Sequence, residues 1–216
     1  MLPYSAEVLF VFLGNYYDAI APVPVLAYVM LGGAGLLAAR PFPGSARIVG
    51  LVLAAFWIWC ALVWFRDHFS EINFAAPIHA AVFGLEAFLI AWWLAVRGTV
   101  PVRIGNSVQG WTGAGIVLFA AVGHPLLGLI AGHAPQLPGV TPAPTALLTL
   151  GVLLLTGRRL PVTLGVIPLL WALAVGVEAW VLDIPEHYVT PVLGLLAMAL
   201  MLERKARLRG TEAGPT

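Results

Sequence analysis

The chain has 216 residues, of which 61% are hydrophobic and 10% are charged, and its formal net charge is +1. Soluble domains carry about 25% charged residues, so this composition excludes an ordinary water-soluble surface. It indicates an all-α, polytopic integral membrane bundle whose partner is the lipid bilayer. Basic residues cluster only in the tail, from Arg204 to Arg209, which excludes a nucleic-acid-binding surface.

The first twenty residues are expected to form a helix at the outer membrane interface rather than a span. Val8 to Leu13 are apolar but too few to cross a bilayer, and Tyr16 and Tyr17 supply aromatic anchors of the kind found at membrane interfaces. The segment lacks the basic residues that begin a cleavable signal peptide, so we expect it to remain in the mature protein.

Seven long apolar segments follow, and each is a candidate span because a membrane-crossing helix needs about 20 predominantly apolar residues. They are 21–39, 48–65, 75–96, 108–131, 140–156, 160–182 and 188–202. The fifth segment is short and opens with Pro142 and Pro144. A broken or re-entrant helix is therefore the alternative to a full crossing there.

The basic residues predict the orientation, since Lys and Arg gather in cytoplasmic loops close to span ends. With seven crossings, one side of the membrane holds ten of the eleven basic residues and the other side holds only Arg66. The ten are Arg40, Arg47, Arg97, Arg103, Arg158, Arg159, Arg204, Lys205, Arg207 and Arg209. We therefore expect the N-terminus outside and residues 203–216 as a basic cytoplasmic tail.

A weak internal repeat relates the first three spans, 21–96, to the last three, 140–202, with 108–131 as a linking span. Both units open with a Pro-x-Pro sequence, and in both the second span holds tryptophans and ends before an aspartate. The pattern predicts one transmembrane domain with a parallel 3+1+3 repeat. The alternative is that proline at span ends and tryptophan at interfaces are general features of membrane helices.

Six short stretches carry a resemblance to a known family: 56–59, 72–76, 125–129, 142–145, 167–173 and 184–186. In the same order, they resemble segments of a bacterial family catalogued as domain of unknown function number 6064. The resemblance spans nearly the whole chain and implies a multi-span protein, which we expect in the bacterial cytoplasmic membrane. It implies no activity. The family's usual cysteine between two prolines is Ala143 here, so any site that depends on this cysteine is absent.

Glu86 lies midway along the third predicted span, and no span contains a basic residue that would neutralise it. An ionised carboxylate that faces lipid is costly. We therefore expect Glu86 to face the bundle and to bind a proton, a cation or a substrate. The alternative is a neutral acid that bonds to a neighbouring helix and serves packing alone.

Most other ionisable residues gather near the predicted outer side. An acidic group around the outer end of the sixth span consists of Glu178, Asp183, Glu186 and His187, and such a vestibule would attract a cation or an amine. An ordinary charged loop is the alternative.

His79 and His124 lie at similar depths in the third and fourth spans and are further candidates for binding a proton or substrate. Hydrogen-bonded core histidines are the alternative, and no metal-binding motif such as HExxH or CxxC is present.

Three functions remain open at this point. The first is a small carrier or channel for a small molecule, a cation or a proton, with a polar site that opens outward. The second is an intramembrane enzyme that uses Glu86 and Glu178 as paired acids on a lipid-soluble substrate. The third is a subunit that holds haem or a metal within a larger complex or homo-oligomer. The sequence identifies no cofactor.

Overall fold

The computed structural model describes residues 2–40, 42, 44–97, 102, 105–156 and 160–212, with side chains as far as Arg207. Arg103, Arg158 and Arg159, which contribute to the predicted orientation, lie outside the described residues, as do the side chain of Arg209 and the end of the tail from residue 213.

Eight helices contain most of the described residues. They are α1 Ala6–Ile20, α2 Val23–Ala39, α3 Ser45–Glu71, α4 Ala76–Val96, α5 Val108–Ile130, α6 Pro142–Leu155, α7 Val162–Leu182 and α8 Val189–Glu212. Five of them begin and end within two residues of a predicted segment, whereas α3 continues six residues past its segment and α8 continues ten residues into the predicted tail. By length and apolar composition, α3, α4, α5, α7 and the helical run that contains α8 are able to cross a membrane. The described part of the chain therefore fits an all-helical integral membrane protein.

α1 and α2 meet at an angle of 82°. The Ser5 hydroxyl caps α1 by accepting a hydrogen bond from the Val8 amide, and α1 buries Leu13 and Tyr16 against the bundle. α2 is exposed along most of its length, and Ala27 is its one buried residue. Residues 6–20 thus form a helix separate from α2.

α6 lies at the centre of the bundle, where all of its 14 residues are buried. Two hydroxyl groups inside this helix, those of Thr145 and Thr149, donate to the carbonyl four residues earlier, at 2.6 and 2.9 Å. The Trp57 indole of α3 also donates to the Thr149 hydroxyl, at 2.8 Å, so these buried polar groups are satisfied. α6 is one continuous helix. The predicted repeat pairs α6 with α2, but α6 is far more buried than α2.

α5 and α6 approach each other closely through two glycines. A Cβ atom added to Gly113 would lie 2.9 Å from the Gly151 carbonyl oxygen, and one added to Gly151 would lie 3.0 Å from the Gly113 carbonyl oxygen. Both distances are shorter than an ordinary carbon–oxygen contact, so a methyl group at either position requires the two backbones to separate. The small residues at this crossing therefore set how deeply α6 is buried.

The end of α2, the start of α3 and the end of α6 meet at one end of the bundle, where an apolar cavity of about 120 Å³ brings together Ala38 of α2, Val49 of α3 and Leu155 of α6. Arg204 of α8 reaches the same end and donates to the Thr156 carbonyl oxygen at 3.0 Å, which places a cation at the negative end of the α6 dipole. We call this the arginine-rich end and the opposite one the histidine-rich end.

Candidate functional site

A cavity with several polar lining residues lies at the histidine-rich end and has a volume of about 320 Å³. We call it the glutamate cavity. Its polar lining residues are Tyr4, Asn73, His79, Gln136 and Glu178, and its other lining residues are Leu2, Leu9, Trp64, Phe69, Pro142, Ala143, Trp171, Ala174, Val175 and Val177. Arginine and lysine are absent from this set, so Glu178 has no basic partner within the lining.

Glu178 is the acidic group of the glutamate cavity. Its Oε1 atom accepts a 2.8 Å hydrogen bond from the Tyr4 hydroxyl. Burial, and then the charge of Glu178, raise the pKa of Tyr4 above its ordinary value, so that this hydroxyl stays protonated and donates. Two distant parts of the chain thus determine the position of the Glu178 carboxylate: the second half of α7, which carries Glu178, and the segment before α1, which carries Tyr4.

Aromatic rings form one wall of the glutamate cavity. The Trp171 ring lies edge to face with the His79 ring, with centroids 5.3 Å apart, and the Trp64 and Phe69 rings are stacked at 5.8 Å. Trp64 belongs to a π-helical stretch of α3, Cys60–His68, a conformation that is frequent at functional sites. Aromatic faces attract cations, so a carboxylate among such rings suits an organic cation.

A second, smaller cavity of about 10 Å³ is lined by three histidines. We call it the histidine cavity. Its lining residues are His124, Leu127, Gly128, His133, Gln136, Glu186 and His187. The His124 and His187 ring centroids are 6.0 Å apart, and those of His133 and His187 are 6.3 Å apart. Gln136 lines both cavities, so the two sites are neighbours.

A proline positions His124 at the histidine cavity. His124 directly follows a π-helical stretch of α5, Phe119–Gly123, and Pro125 has no amide hydrogen for the carbonyl four residues earlier, that of Ala121. The Tyr28 hydroxyl of α2 donates to this carbonyl at 2.8 Å, which supplies the missing hydrogen bond. His124 is 6% exposed, and neither of its ring nitrogens has a hydrogen-bond partner.

The turn after α7 brings Glu186 and His187 to the same cavity. Asp183 ends α7 in the left-handed conformation, with φ of 55°, and reverses the chain direction. A 3₁₀ turn, Pro185–Tyr188, follows. Asp183 itself lines neither cavity, so the acidic vestibule predicted from the sequence is divided between two sites.

The structure separates the six predicted site residues. Glu178 and His79 line the glutamate cavity, whereas His124 and His187 line the histidine cavity. Glu86 is fully buried in α4, both of its carboxyl oxygens lack a hydrogen-bond partner, and it lines neither cavity. Glu86 and Glu178 therefore do not share a cavity as the paired acids of an enzyme would.

Sequence reasoning placed Glu186 in the acidic group near Glu178, but it missed four other polar residues that line these cavities: Tyr4, Asn73, His133 and Gln136. Tyr4 and Gln136 lie in segments without helical periodicity, so no pattern relates them to a site. The number of histidines on the predicted outer side was a signal for His133. Among the described residues, no group of three or more His, Cys, Asp or Glu side chains has the geometry to hold a metal ion.

No curated protein and no solved structure matches this chain significantly. A family model described as a family of unknown function, DUF6064, matches residues 6–212. The match begins at the first residue of α1 and ends at the last residue of α8, so it covers both cavities apart from the N-terminal residues Leu2 and Tyr4. The chain therefore belongs to the DUF6064 family.

Proposed function

We propose that this chain is a membrane carrier that binds a small organic cation in the glutamate cavity. The observation that carries the proposal is the composition of the cavity, in which Glu178 lies among Trp64, Phe69 and Trp171 without a lysine or arginine. A bound cation would pair with the carboxylate and lie against the rings, where each cation–ring contact contributes about 0.5–2 kcal/mol.

The surroundings of the cavity support transport over the two other functions. Part of its wall is the start of α6, the helix that continues through the centre of the bundle. A paired-acid enzyme needs two carboxyl groups at one substrate, and Glu86 is not in the lining of the glutamate cavity. A subunit that holds a metal ion has no supporting cluster of side chains among the described residues.

A carrier must connect both sides of the membrane, and we propose seven crossings, with the N-terminus outside and the C-terminus in the bacterial cytoplasm. α6 supports this count because it extends from Pro142, in the glutamate cavity, towards Thr156, beside Arg204. Its 14 residues span about 21 Å, and the helices around it shield its ends from lipid. The proposed orientation rests on the bias of basic residues.

Uptake of benzyltrimethylammonium into proteoliposomes tests the proposal, because this cation carries a fixed charge and crosses bare bilayers slowly. Glu178→Gln is expected to lower the uptake about tenfold or more, which corresponds to about 1.4 kcal/mol. The matched control is Glu71→Gln, which neutralises an exposed carboxyl near the same end. The control should stay within about twofold of the parent.

The same assay identifies what would contradict the proposal. Uptake of neutral benzyl alcohol or anionic benzoate that depends on Glu178 as strongly as the cation does would refute a cation site. Saturable binding of the cation without any protein-dependent uptake would refute the carrier.

A further inference from the structure

We infer that the apolar cavity beside Ala38, Val49 and Leu155 binds one acyl chain of an anionic phospholipid, whose headgroup lies at the arginine-rich end. This binding site is separate from the glutamate cavity, and its existence does not depend on the proposed carrier function. Three features of the molecule support it: a wholly apolar lining, an opening at the surface of α2, and positive charge in the connection between α2 and α3.

The lining of the apolar cavity contains no polar side chain. Its 14 lining residues come from α2, α3, α5 and α6, together with Val102. Water in such a cavity would lack hydrogen-bond partners, and an apolar cavity of about 150 Å³ in another protein stays dry and binds benzene. The volume of about 120 Å³ therefore suits a short hydrocarbon segment of comparable size.

The cavity reaches the surface of the bundle at α2. Gly35 lines the cavity and is also exposed, and a Cβ atom added there would meet no atom within 4 Å. On the same helix, Val29 is 67% and Leu36 is 71% exposed, so α2 presents an apolar surface that suits lipid. Hydrocarbon from the bilayer can therefore enter the cavity beside Gly35.

Two contacts of α2 and α6 define the sides of the cavity. The Tyr28 hydroxyl donates to the Ala121 carbonyl of α5 at 2.8 Å, and Ala121 is itself a lining residue, so this hydrogen bond holds α2 to the bundle beside the cavity. The opposite wall includes Val152 and Leu155 of α6, which are each 7% exposed. An acyl chain between these walls would contact α6, which other helices otherwise cover.

The connection between α2 and α3 is positively charged. Arg40 follows Ala38 of the cavity lining by two residues, and Arg47 precedes Val49 of the lining by two residues. Both arginines are exposed, and within the described part of the chain neither forms an ion pair. Residues 19–66 contain no Asp or Glu. Basic residues at a membrane surface attract anionic headgroups, so the charge favours an anionic lipid over a neutral one.

Photo-cross-linking of the full chain in lipid nanodiscs tests whether an acyl chain occupies the cavity. The probe is a phosphatidylglycerol that carries a diazirine midway along one acyl chain, and mass spectrometry locates the modified residues. Lipid around the bundle should modify Leu118 of α5, which is 65% exposed. A chain in the cavity should also modify Val152 or Leu155, which lipid outside the cavity does not reach. Modification of Leu118 without any modification of α6 would overturn the inference.

A phosphatidylcholine with the same diazirine chain tests the contribution of the headgroup charge. The ratio of α6 modification to Leu118 modification should be about tenfold higher with phosphatidylglycerol. The double variant Arg40→Gln/Arg47→Gln should bring the two lipids close to the same ratio. The matched control, Arg66→Gln/Lys205→Gln, removes two charges elsewhere and should keep the parental difference. Equal ratios for the two lipids in the parent, or in the control, would overturn the preference for an anionic lipid.

Ala38→Phe and Ala39→Phe form a matched pair for occupancy of the cavity. Ala38 is half-buried and lines the cavity, whereas Ala39 is exposed and does not line it. Ala38→Phe should remove most of the α6 modification and keep that of Leu118, and Ala39→Phe should behave like the parent. Parental modification of α6 in a folded Ala38→Phe chain would overturn the inference. The comparison of the two lipids uses the parent, so it decides the question even where Ala38→Phe fails to fold.

Discussion

The Tyr4 hydroxyl donates a hydrogen bond to Glu178, a residue 174 positions further along the chain. The N-terminal segment is therefore part of the glutamate cavity. The helix that follows this segment is fixed to the loop before α6, because Tyr16 donates to the Val140 carbonyl at 2.7 Å and Tyr17 accepts from the Leu137 amide at 3.2 Å. The same loop carries Gln136, so α1 links the two cavities.

Tyr4→Phe tests the contribution of this hydrogen bond to cation binding. A hydrogen bond to a charged group contributes about 1.5–3 kcal/mol, and partial exposure favours the lower end of this range. We expect the affinity for benzyltrimethylammonium to fall about tenfold. The control, Ser5→Ala, removes the α1 cap one residue away and keeps the phenol. An equal loss in the control would show that the position of α1, and not the hydroxyl of Tyr4, controls binding.

Gly151→Ala and Gly115→Ala form a matched pair for the α5–α6 crossing. The added methyl group at position 151 would lie 2.8 Å from Val117 Cγ2, whereas one at position 115 would meet nothing within 4 Å. Overpacking of this kind costs about 1–3 kcal/mol. We expect lower thermal stability in detergent for Gly151→Ala, and parental stability for Gly115→Ala. Equal stabilities of the two variants would show that the helices separate without cost.

Single cysteines test whether α6 crosses the membrane. Cys60 is buried, and its replacement by alanine gives a background without thiols. In intact cells, a membrane-impermeant maleimide should label Ala131→Cys, before α6, and spare Thr163→Cys, after it. Ser70→Cys and Lys205→Cys serve as outer and inner references, since both side chains are exposed. Labelling of both Ala131→Cys and Thr163→Cys would show that the residues before and after α6 lie on the same side of the membrane, and therefore that α6 does not cross it.

The helices were largely predictable from the sequence because two local features indicate them. These features are the length of each apolar segment and the prolines, glycines and arginines that flank it. α6 shows the limit of this reasoning. Its 14 residues are fewer than the roughly 20 that a lipid-exposed membrane-crossing helix needs. That requirement assumes contact with lipid, whereas α6 is covered by other helices. Such burial depends on the tertiary structure and cannot be seen in the local sequence. The bend of 82° between α1 and α2 also follows from packing, although the separation of the two helices was visible in the sequence.

The sites were less predictable because they combine residues that are distant along the chain. Glu178 and His187 are nine positions apart and looked like members of one vestibule. The left-handed Asp183 between them sends His187 towards His124, while Glu178 remains with Tyr4. The spacing of the residues along the chain does not predict the change of chain direction at Asp183. It also does not predict that Gln136 lines both cavities.

Glu86→Met and Glu86→Gln test the role of the buried acid in α4. Both Glu86 oxygens are buried without a partner, and removal of such a group contributes about 1–3 kcal/mol of stability. Methionine has a similar length and no oxygen, so Glu86→Met should be more stable than the parent in detergent. Glu86→Gln keeps a buried polar group and should stay close to the parent.

Under the proposed carrier function, a buried acid inside a membrane helix would lie on the path of the transported cation. We therefore expect both Glu86 variants to lower the uptake of benzyltrimethylammonium about tenfold. Glu86 lies seven residues after His79, or about 10 Å deeper along α4, so it would act after the cation leaves the glutamate cavity. Equilibrium binding by Glu86→Met should therefore stay within about twofold of the parent. A methionine variant that is more stable and transports at the parental rate would show that Glu86 serves packing alone. The transported cation would then have to cross the bundle without contacting α4 at this depth.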